Sequence, residues 1–498
     1  MPAAAAPPDL VVTGARLLGS DADAVAVRGR RIAATGAATA MLASCGPTTR
    51  VVRLPPGSLL CPGFHDAHLH LHAMAAARSE VSAAGLDLEG LAALVERAVR
   101  GRDRASWLVV AEVADDLIVR PGTRDALDRA AGPAPVLLRA HDHHTCMASA
   151  AGLAMLGEDT APGGLLRETA AFRAMEASRA AAPAERLRDL ERVLAGLARA
   201  GLTAVHEMSG SAEIGPLVEL AAADRLPLDV FATLSPGASA PSVPAGGRLH
   251  VAGVKAFLDG ALGSRTAALL EPYEDAAHAG MPLLTAAEAR DVVRDAAARG
   301  LPSFLHAIGD RAVRTALDAL EGVTGPDGRA LRHRVEHAQT VHPEDVGRFA
   351  AAGVVASVQP SHIASDASGA LQRLGARSGL AFPLRALADA GAVLAIGTDA
   401  PIEAPDPLPG LRCAVRRVGR DGAALHPEQA LTAAEALAAV THGAAYAVGR
   451  ERDLGAIVPG ARACLTALSC DVVRRPGALD DARIVLTVSD GAVYGEAS

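Results

Sequence analysis

A chain of 498 residues with 50% hydrophobic and 21% charged side chains has the composition of a soluble globular protein, and is long enough for one large barrel with additions or for two to three domains. Aromatic residues make up only 2% and the formal charge is −8, which argues against the basic grooves and stacking platforms that nucleic acid requires. The opening MPAAAAPPDLVV lacks a basic stretch followed by an apolar one, and no run reaches the roughly 18 apolar residues of a membrane helix, so a soluble, cytoplasmic protein with no membrane or nucleic-acid partner is expected.

In chain order, DLVVTGARLLGSDADAVAVRGRRIAATG alternates short apolar runs with Gly, Ser and Asp, as antiparallel strands joined by tight turns do. LLCPGF near Leu60 reads as a short buried strand whose end places His68 and His70 on one face. Residues from about 75 to 200 carry two further strand-like runs, WLVVAEV and PVLLRA, and read as an inserted α/β subdomain. Its last helix runs from Pro183 to Arg199, with Leu187, Leu190, Leu194 and Leu197 on one face and Gly201 as the stop.

Seven more strand candidates follow: LTAVHE, LDVFATL, VAGVKAF, PSFLHA, HRVEHA, VVASVQP and AVLAIGTD. Between the third and fourth of these, Thr285 and Glu288 form a capping box that starts a helix. The tail, with ARACLTALSCDVV, ARIVLTVSDG and AVYGE, repeats the texture of the opening. The expected fold is α/β: a (β/α)8 TIM-type barrel over 59–451, the insertion at about 75–200, and a small composite β-sandwich domain built from 1–58 and 452–498. Cys45, Cys61, Cys146, Cys413, Cys464 and Cys470 include no C-x-x-C pair and read as small buried hydrophobes.

Barrel active sites lie at the carboxyl ends of the strands. Lys255 lies within GVKAFLDG, His306 closes PSFLHAIGD, His337 closes HRVEHAQ, and Asp399 closes LAIGTDAP. The pairs His70/His72 and His141/His143 repeat the H-x-H spacing without the strand-end setting of His68 and His70. A lysine inside an apolar run is costly as an ammonium, and its neutral amine can add carbon dioxide to give an anionic, two-oxygen ligand. Left unmodified, it could instead pair with Asp259.

The order H-x-H, Lys, His, His, Asp on successive strands resembles the amidohydrolase superfamily, and the detail resembles its N-substituted formamide deformylase-like branch. The matching text is PGFHDAHLHL, VKAFLDGALGSRTAALLEPY, LHAIGDRAV, RVEHAQ, SVQPSH, LAIGTDAPIEAPDP and ALTAAEALAAVTHGAAYAVG. The resemblance implies one or two zinc-type divalent ions, with His68, His70 and Asp399 on one, His306 and His337 on the other, and carboxylated Lys255 bridging. A water shared by the metals would attack the substrate carbonyl, and Asp399 would carry its proton to the departing amine.

The activity implied is metal-dependent hydrolysis of a non-peptide C–N bond in a small molecule, most simply an N-substituted amide or formamide, by a monomer or a homo-oligomer. Rivals are a single-metal deaminase or cyclic-amide hydrolase, in which Asp310 would stand in for the usual Glu, and a catalytically silent scaffold. Where the branch carries Asp-Gly-His and then Asn-Ser, this chain reads HDHHTCMAS, with Asp142 and His144 at the first pattern and Ser149 in place of the Asn. His144 and Arg265 are the expected substrate contacts, a salt bridge being the alternative for Arg265. His206 reads as packing behind the ligands, His72, His141 and His143 as entrance or plain surface, and Glu336 as facing away from His337 across the strand, in a packing or supporting role rather than a catalytic one. The pocket is expected to be mostly aliphatic, with the insertion as its lid.

Overall fold

Eight segments pair side by side as parallel strands in chain order: β1 (Phe64–Leu69), β2 (Leu202–Glu207), β3 (Asp229–Leu234), β4 (Leu249–Phe257), β5 (Ser303–Ala307), β6 (Arg334–His337), β7 (Val355–Val358) and β8 (Leu394–Ile396). All but β4 are buried along their whole length, as expected for strands covered on both faces. Past the strand ends, Leu69 bridges Ala400, the His70 amide donates to the Ala400 carbonyl at 2.8 Å, and the Asp399 amide donates to the His68 carbonyl at 2.7 Å. These contacts bring the first and last strands together into a nearly closed TIM-type barrel. The computed structural model describes all residues except 1–5, 79, 103–105, 141–144, 158–161, 168, 179–182, 212–213 and 497–498.

The first barrel strand is not LLCPGF. Residues Leu59–Pro62 instead finish a long strand, Arg50–Pro62, that belongs to a separate seven-stranded sheet. The break falls at Gly63, where a Cβ would stand 2.0 Å from Thr203 Oγ1. Only a residue without a side chain lets the chain pass from sheet to barrel so close to β2. Thr466 fastens the same junction, accepting from the Phe64 amide at 3.1 Å and donating to the Gly201 carbonyl at 2.7 Å.

The seven-stranded sheet runs in the order Ala492–Glu496, Ile484–Ser489, Leu465–Leu468, Arg50–Pro62, Leu10–Leu17, Ala24–Arg28, Arg31–Gly36, so both ends of the chain contribute. Ile32 from one edge and Val488 from near the other share one core with Val12, Val25, Leu60 and Leu465, which means the sheet curls over its own apolar face. It packs in the same compact unit as the barrel, Met1–Leu71 with Val193–Ser498.

The second unit, His72–Arg192, has its own five-stranded sheet in the order Leu165–Arg167, Thr145–Ala148, Val136–Ala140, Leu108–Val113, Val81–Ser82. One face packs Val110, Val136 and Leu138 with Leu91, Leu94 and Leu127, and the other packs Leu137 and Cys146 with Leu153, Ala174 and Met175. Alternation along Val136–Ala140 therefore feeds two cores. Among the described residues no helix is long and apolar enough to cross a membrane.

Gly63→Ala is expected to cost about 2 kcal/mol or more, because the new methyl has no room against Thr203. Urea unfolding measures it, and a loss under about 0.5 kcal/mol would contradict the close approach.

Candidate metal centre

The carboxyl ends of β1, β6 and β8 converge, and local backbone geometry aims their side chains at one another. Asp399 lies beyond β8 with φ 61°, in the left-handed region that is uncommon for a residue bearing a Cβ. Gly397 passes so close to β1 that a Cβ would stand 2.4 Å from the His68 amide nitrogen. Buried Asp66 clamps the two segments: Oδ1 accepts from the amides of Thr398 (2.9 Å) and His68 (3.1 Å), and Oδ2 from the Thr398 hydroxyl (2.6 Å). Asp399 Oδ1 consequently sits 3.5 Å from His68 Nε2 and 3.2 Å from His70 Nε2. Glu207, closing β2, accepts from the Leu71 amide and, at 2.8 Å, from the Ser209 amide, and the Ser209 hydroxyl lies 3.3 Å from His70 Nδ1.

Below this cluster, His68 Nδ1 is 2.7 Å from Glu336 Oε2. A carboxylate can only accept there, so the proton belongs on Nδ1 and Nε2 is left with its lone pair. Glu336 is fully buried beside Arg334, whose Nε lies 2.7 Å from Oε1 and whose Nη2 donates to Oε2 at 3.0 Å. Arg334 also meets His206 Nδ1 (2.9 Å) and the Ser357 hydroxyl (2.8 Å), and lies 4.3 Å above the Phe304 ring. Burial alone would raise the Glu336 carboxyl, but the Arg334 guanidinium and the His68 hydrogen bond outweigh it and hold the group well below the usual range. Lys255, on β4, is 3% exposed, its Nζ makes no hydrogen bond among the described residues, and it stands 4.8 Å from the Phe257 ring.

His337 closes β6 with φ 71°; its ring centroid lies 4.8 Å from that of His68 and 4.4 Å from that of His306. Here the strand rule fails. Alternation puts Glu336 and His337 on opposite faces, yet both approach His68, because regular strand geometry stops at the left-handed residue. His306, on β5, packs on His337 but turns Nε2 toward the Gly260 carbonyl at 3.2 Å, with Asp259 Oδ1 at 3.6 Å. Among the described residues, two groups of donors have ligand atoms within 4.8 Å of one another: His68, His70 and Asp399, and His337, His362 and Asp399.

Residues 56–494 match the model of the amidohydrolase family. The chain belongs to that family. It is a hydrolase of carbon–nitrogen bonds other than peptide bonds. This amidohydrolase is 27% identical to the N-substituted formamide deformylase of Arthrobacter pascens, over 96% of this chain and 95% of that protein. It is 28% identical to protein LONG AFTER FAR-RED 3 of Arabidopsis thaliana, over 93% of this chain and 87% of the other. A crystal structure of an uncharacterized metal-dependent hydrolase from Pyrococcus horikoshii OT3 matches it with a TM-score of 0.79 at 26% identity, covering 93% of this chain and 98% of that one.

The donor atoms of this amidohydrolase suit a divalent cation on two counts. Ligands of a tetrahedral ion, each about 2.0–2.1 Å from it, lie roughly 3.3 Å apart. The separations of 3.2 and 3.5 Å around Asp399 Oδ1 match that spacing and exceed the roughly 2.7–2.9 Å of a charge-assisted hydrogen bond. Protonation fits as well. Burial, aided by Lys255, lowers His68 to about 4, and burial with His306 and His68 holds His337 well below its ordinary value, so both imidazoles are neutral at pH 7. Burial would raise the Asp399 carboxyl, but the imidazoles of His68, His70 and His337 outweigh it and keep the group ionised.

Other expectations are corrected. Arg265 is engaged by Asp275, with Nε 2.9 Å from Oδ1 and Nη2 2.6 Å from Oδ2, so its fork is committed to a salt bridge rather than offered to a substrate. Asp259 is not the partner of Lys255; it accepts from the amides of Ala268 (2.9 Å), Ile308 (3.0 Å) and Gly309 (2.8 Å). Asp310 accepts from the amides of Leu270 (2.8 Å) and Arg311 (3.0 Å) in the first turn of a helix, where a carboxylate complements the helix dipole. Cys45 and Cys470 are only half-buried, while the other four cysteines are buried. His206 is buried between His65, Phe231 and Arg334. His141 to His144 lie outside the described residues. Glu336, expected to pack or to support the ligands rather than to act in catalysis, stands behind His68, whereas Asp66, Ser209 and His362 carry no assigned role in the sequence reading. His362 alone had a visible signal, since it follows the apolar run of β7 as the other ligands follow theirs.

Burial lowers the Lys255 ammonium from 10.5 to about 8, against the pull of Glu336 and Asp399. Between those values the unfolded chain holds a proton that the folded chain has released, so stability rises with pH across that window. Below about 8 both states are protonated and the whole penalty, on the order of 3 kcal/mol, stands. Chelator-treated Lys255→Met is therefore expected to resist urea better than chelator-treated wild type at pH 7, with the gap closing toward pH 10. Equal unfolding midpoints at pH 7 would contradict a penalised ammonium.

Proposed function

We propose that this amidohydrolase hydrolyses a small N-substituted amide or formamide with one or two zinc-type divalent ions held at the carboxyl ends of the barrel strands. The observation that carries the reading is the Asp399 carboxylate, buried and ionised, with Oδ1 3.2 Å from His70 Nε2 and 3.5 Å from His68 Nε2. The names of the Arthrobacter pascens deformylase and the Pyrococcus horikoshii hydrolase support the substrate class and the metal, respectively. His68, His70 and Asp399 would hold one ion. His337 and His306 would serve the second, with Lys255 between them as a carbamate. A bound divalent cation supplies Lewis acidity, lowering the pKa of a water toward about 7 and polarising a carbonyl.

The chain's own groups do the rest. Lys255 Nζ makes no hydrogen bond among the described residues and is depressed to about 8 by burial; its neutral amine would add to carbon dioxide, the N–C bond forming as one C=O π bond opens onto oxygen and one proton leaves the nitrogen, and the two carbamate oxygens would serve as donors. Glu336 keeps the His68 proton on Nδ1, and Ser209 orients His70. Asp399 takes the proton lost by the attacking water and delivers it to the amine nitrogen as the C–N bond breaks. Phe257, 43% exposed beside Lys255 and His306, offers an apolar surface to the acyl or amine substituent.

Purified enzyme is expected to retain one or two zinc-type ions per chain by plasma mass spectrometry and to turn over N-formyl or N-acyl amines. Lys255→Ala should lose one ion and most turnover, with partial recovery of both in short carboxylic acids. Full metal and full turnover in that variant would remove Lys255 from the mechanism. Two ions in the wild type support the paired site; one favours the deaminase or cyclic-amide reading. Glu336→Gln should weaken metal binding about 10–100-fold, and an unchanged zinc affinity would deny that residue its positioning role.

A further inference from the structure

The Asp399 carboxylate has two oxygens, and they face different partners. Oδ1 is turned to His68 and His70, whereas Oδ2 lies 3.5 Å from His362 Nε2. His362 is carried by a tight turn, Pro360–His362, directly after β7, and its amide donates to the Gln359 carbonyl at 3.1 Å. The residue is 7% exposed, and Nε2 makes no hydrogen bond among the described residues; the same is true of His337 Nδ1. The two rings lie nearly parallel, 24° apart with centroids at 6.1 Å. A buried imidazole nitrogen aimed at an ionised carboxylate from 3.5 Å is too far for a good hydrogen bond. It stands instead near the spacing of two donors on one tetrahedral ion, roughly 3.3 Å.

We propose that His362 is a metal ligand, which with His337 and the second oxygen of Asp399 forms a subsite for a borderline divalent cation of the Zn2+ or Co2+ type. The inference rests on the reading of the centre as a metal site. It adds a donor from β7, a strand to which the sequence reading gives no ligand. Asp399 then bridges the two subsites, one oxygen to each, so the link between the ions does not depend on Lys255 alone. His306, whose Nε2 faces the Gly260 carbonyl, is the less direct donor of the pair that flanks His337.

The test counts metal rather than turnover. Full-length wild type, His362→Ala and His362→Gln are loaded with Zn2+ or Co2+, dialysed, and compared for ions per chain, dissociation constant and the visible absorption of bound Co2+. Both variants are expected to hold one ion fewer or to bind it at least tenfold more weakly, with a changed Co2+ spectrum. Wild-type stoichiometry, affinity and spectrum in both variants would overturn the assignment and leave the wider metal reading intact. A wild type that binds neither ion would overturn both. Should the variants fail to fold, anomalous scattering from Zn2+-loaded wild-type crystals decides: a peak about 2.0–2.1 Å from His362 Nε2 supports the ligand, and none within bonding range of that nitrogen rejects it.

Discussion

His68 is gripped from both sides, with Glu336 2.7 Å from Nδ1 and Asp399 3.5 Å from Nε2, and the rest of the centre depends on that arrangement. One carboxylate fixes the tautomer, which leaves the opposite nitrogen free to coordinate. A charge as deeply buried as that of Glu336 cannot persist alone, and Arg334, fully buried, compensates it. Barrel interiors of this type are ordinarily filled with branched apolar side chains. Here part of that volume goes to an ion pair, with His206, His65 and Ser357 around it. Such a pair is a poor stabiliser compared with an apolar replacement, since both ions lose their water. Its value lies in holding one imidazole in one orientation.

The same region relaxes the usual geometry of strands. His337 and Asp399 both carry positive φ, conformations that persist only where the surroundings over-determine them. Asp66 does this for Asp399 by tying Thr398 to β1, and Gly397 permits the contact by having no side chain to place there. The site is thus built from main-chain proximity first and side-chain chemistry second.

That order explains what was legible in the sequence. Seven of the eight barrel strands could be read from apolar runs between helical patterns, and the helix at Thr285 from its capping box, because those signals are local. The first strand is displaced because the apolar run LLCPGF ends where the barrel strand FHDAHL begins, whose buried His65, Asp66 and His68 carry no apolar signal, and the packing of Gly63 on Thr203 that divides the two joins distant parts of the chain. Alternation puts Glu336 and His337 on opposite faces, and that both nonetheless approach His68 follows from the left-handed φ at His337, which no sequence pattern marks. Arg265 finds its partner ten residues away in Asp275, a pairing within an irregular loop that no periodic pattern marks. His362 lay in quoted text, SVQPSH, but its ring reaches the centre from a turn rather than from the strand itself.

The seven-stranded sheet has a consequence for synthesis. Strand Arg50–Pro62 pairs on one side with Leu10–Leu17 and on the other with Leu465–Leu468, and the Phe64–Thr466 contact beside it spans 402 residues. At roughly 5–20 residues per second, a ribosome needs roughly 20 to 80 s to make the second neighbour after the first. Throughout that interval the nascent protein presents an open β edge, the kind of surface that templates aggregation. Burial of that edge is therefore among the last events of maturation, and any product cut short before Leu465 would be left with it uncovered.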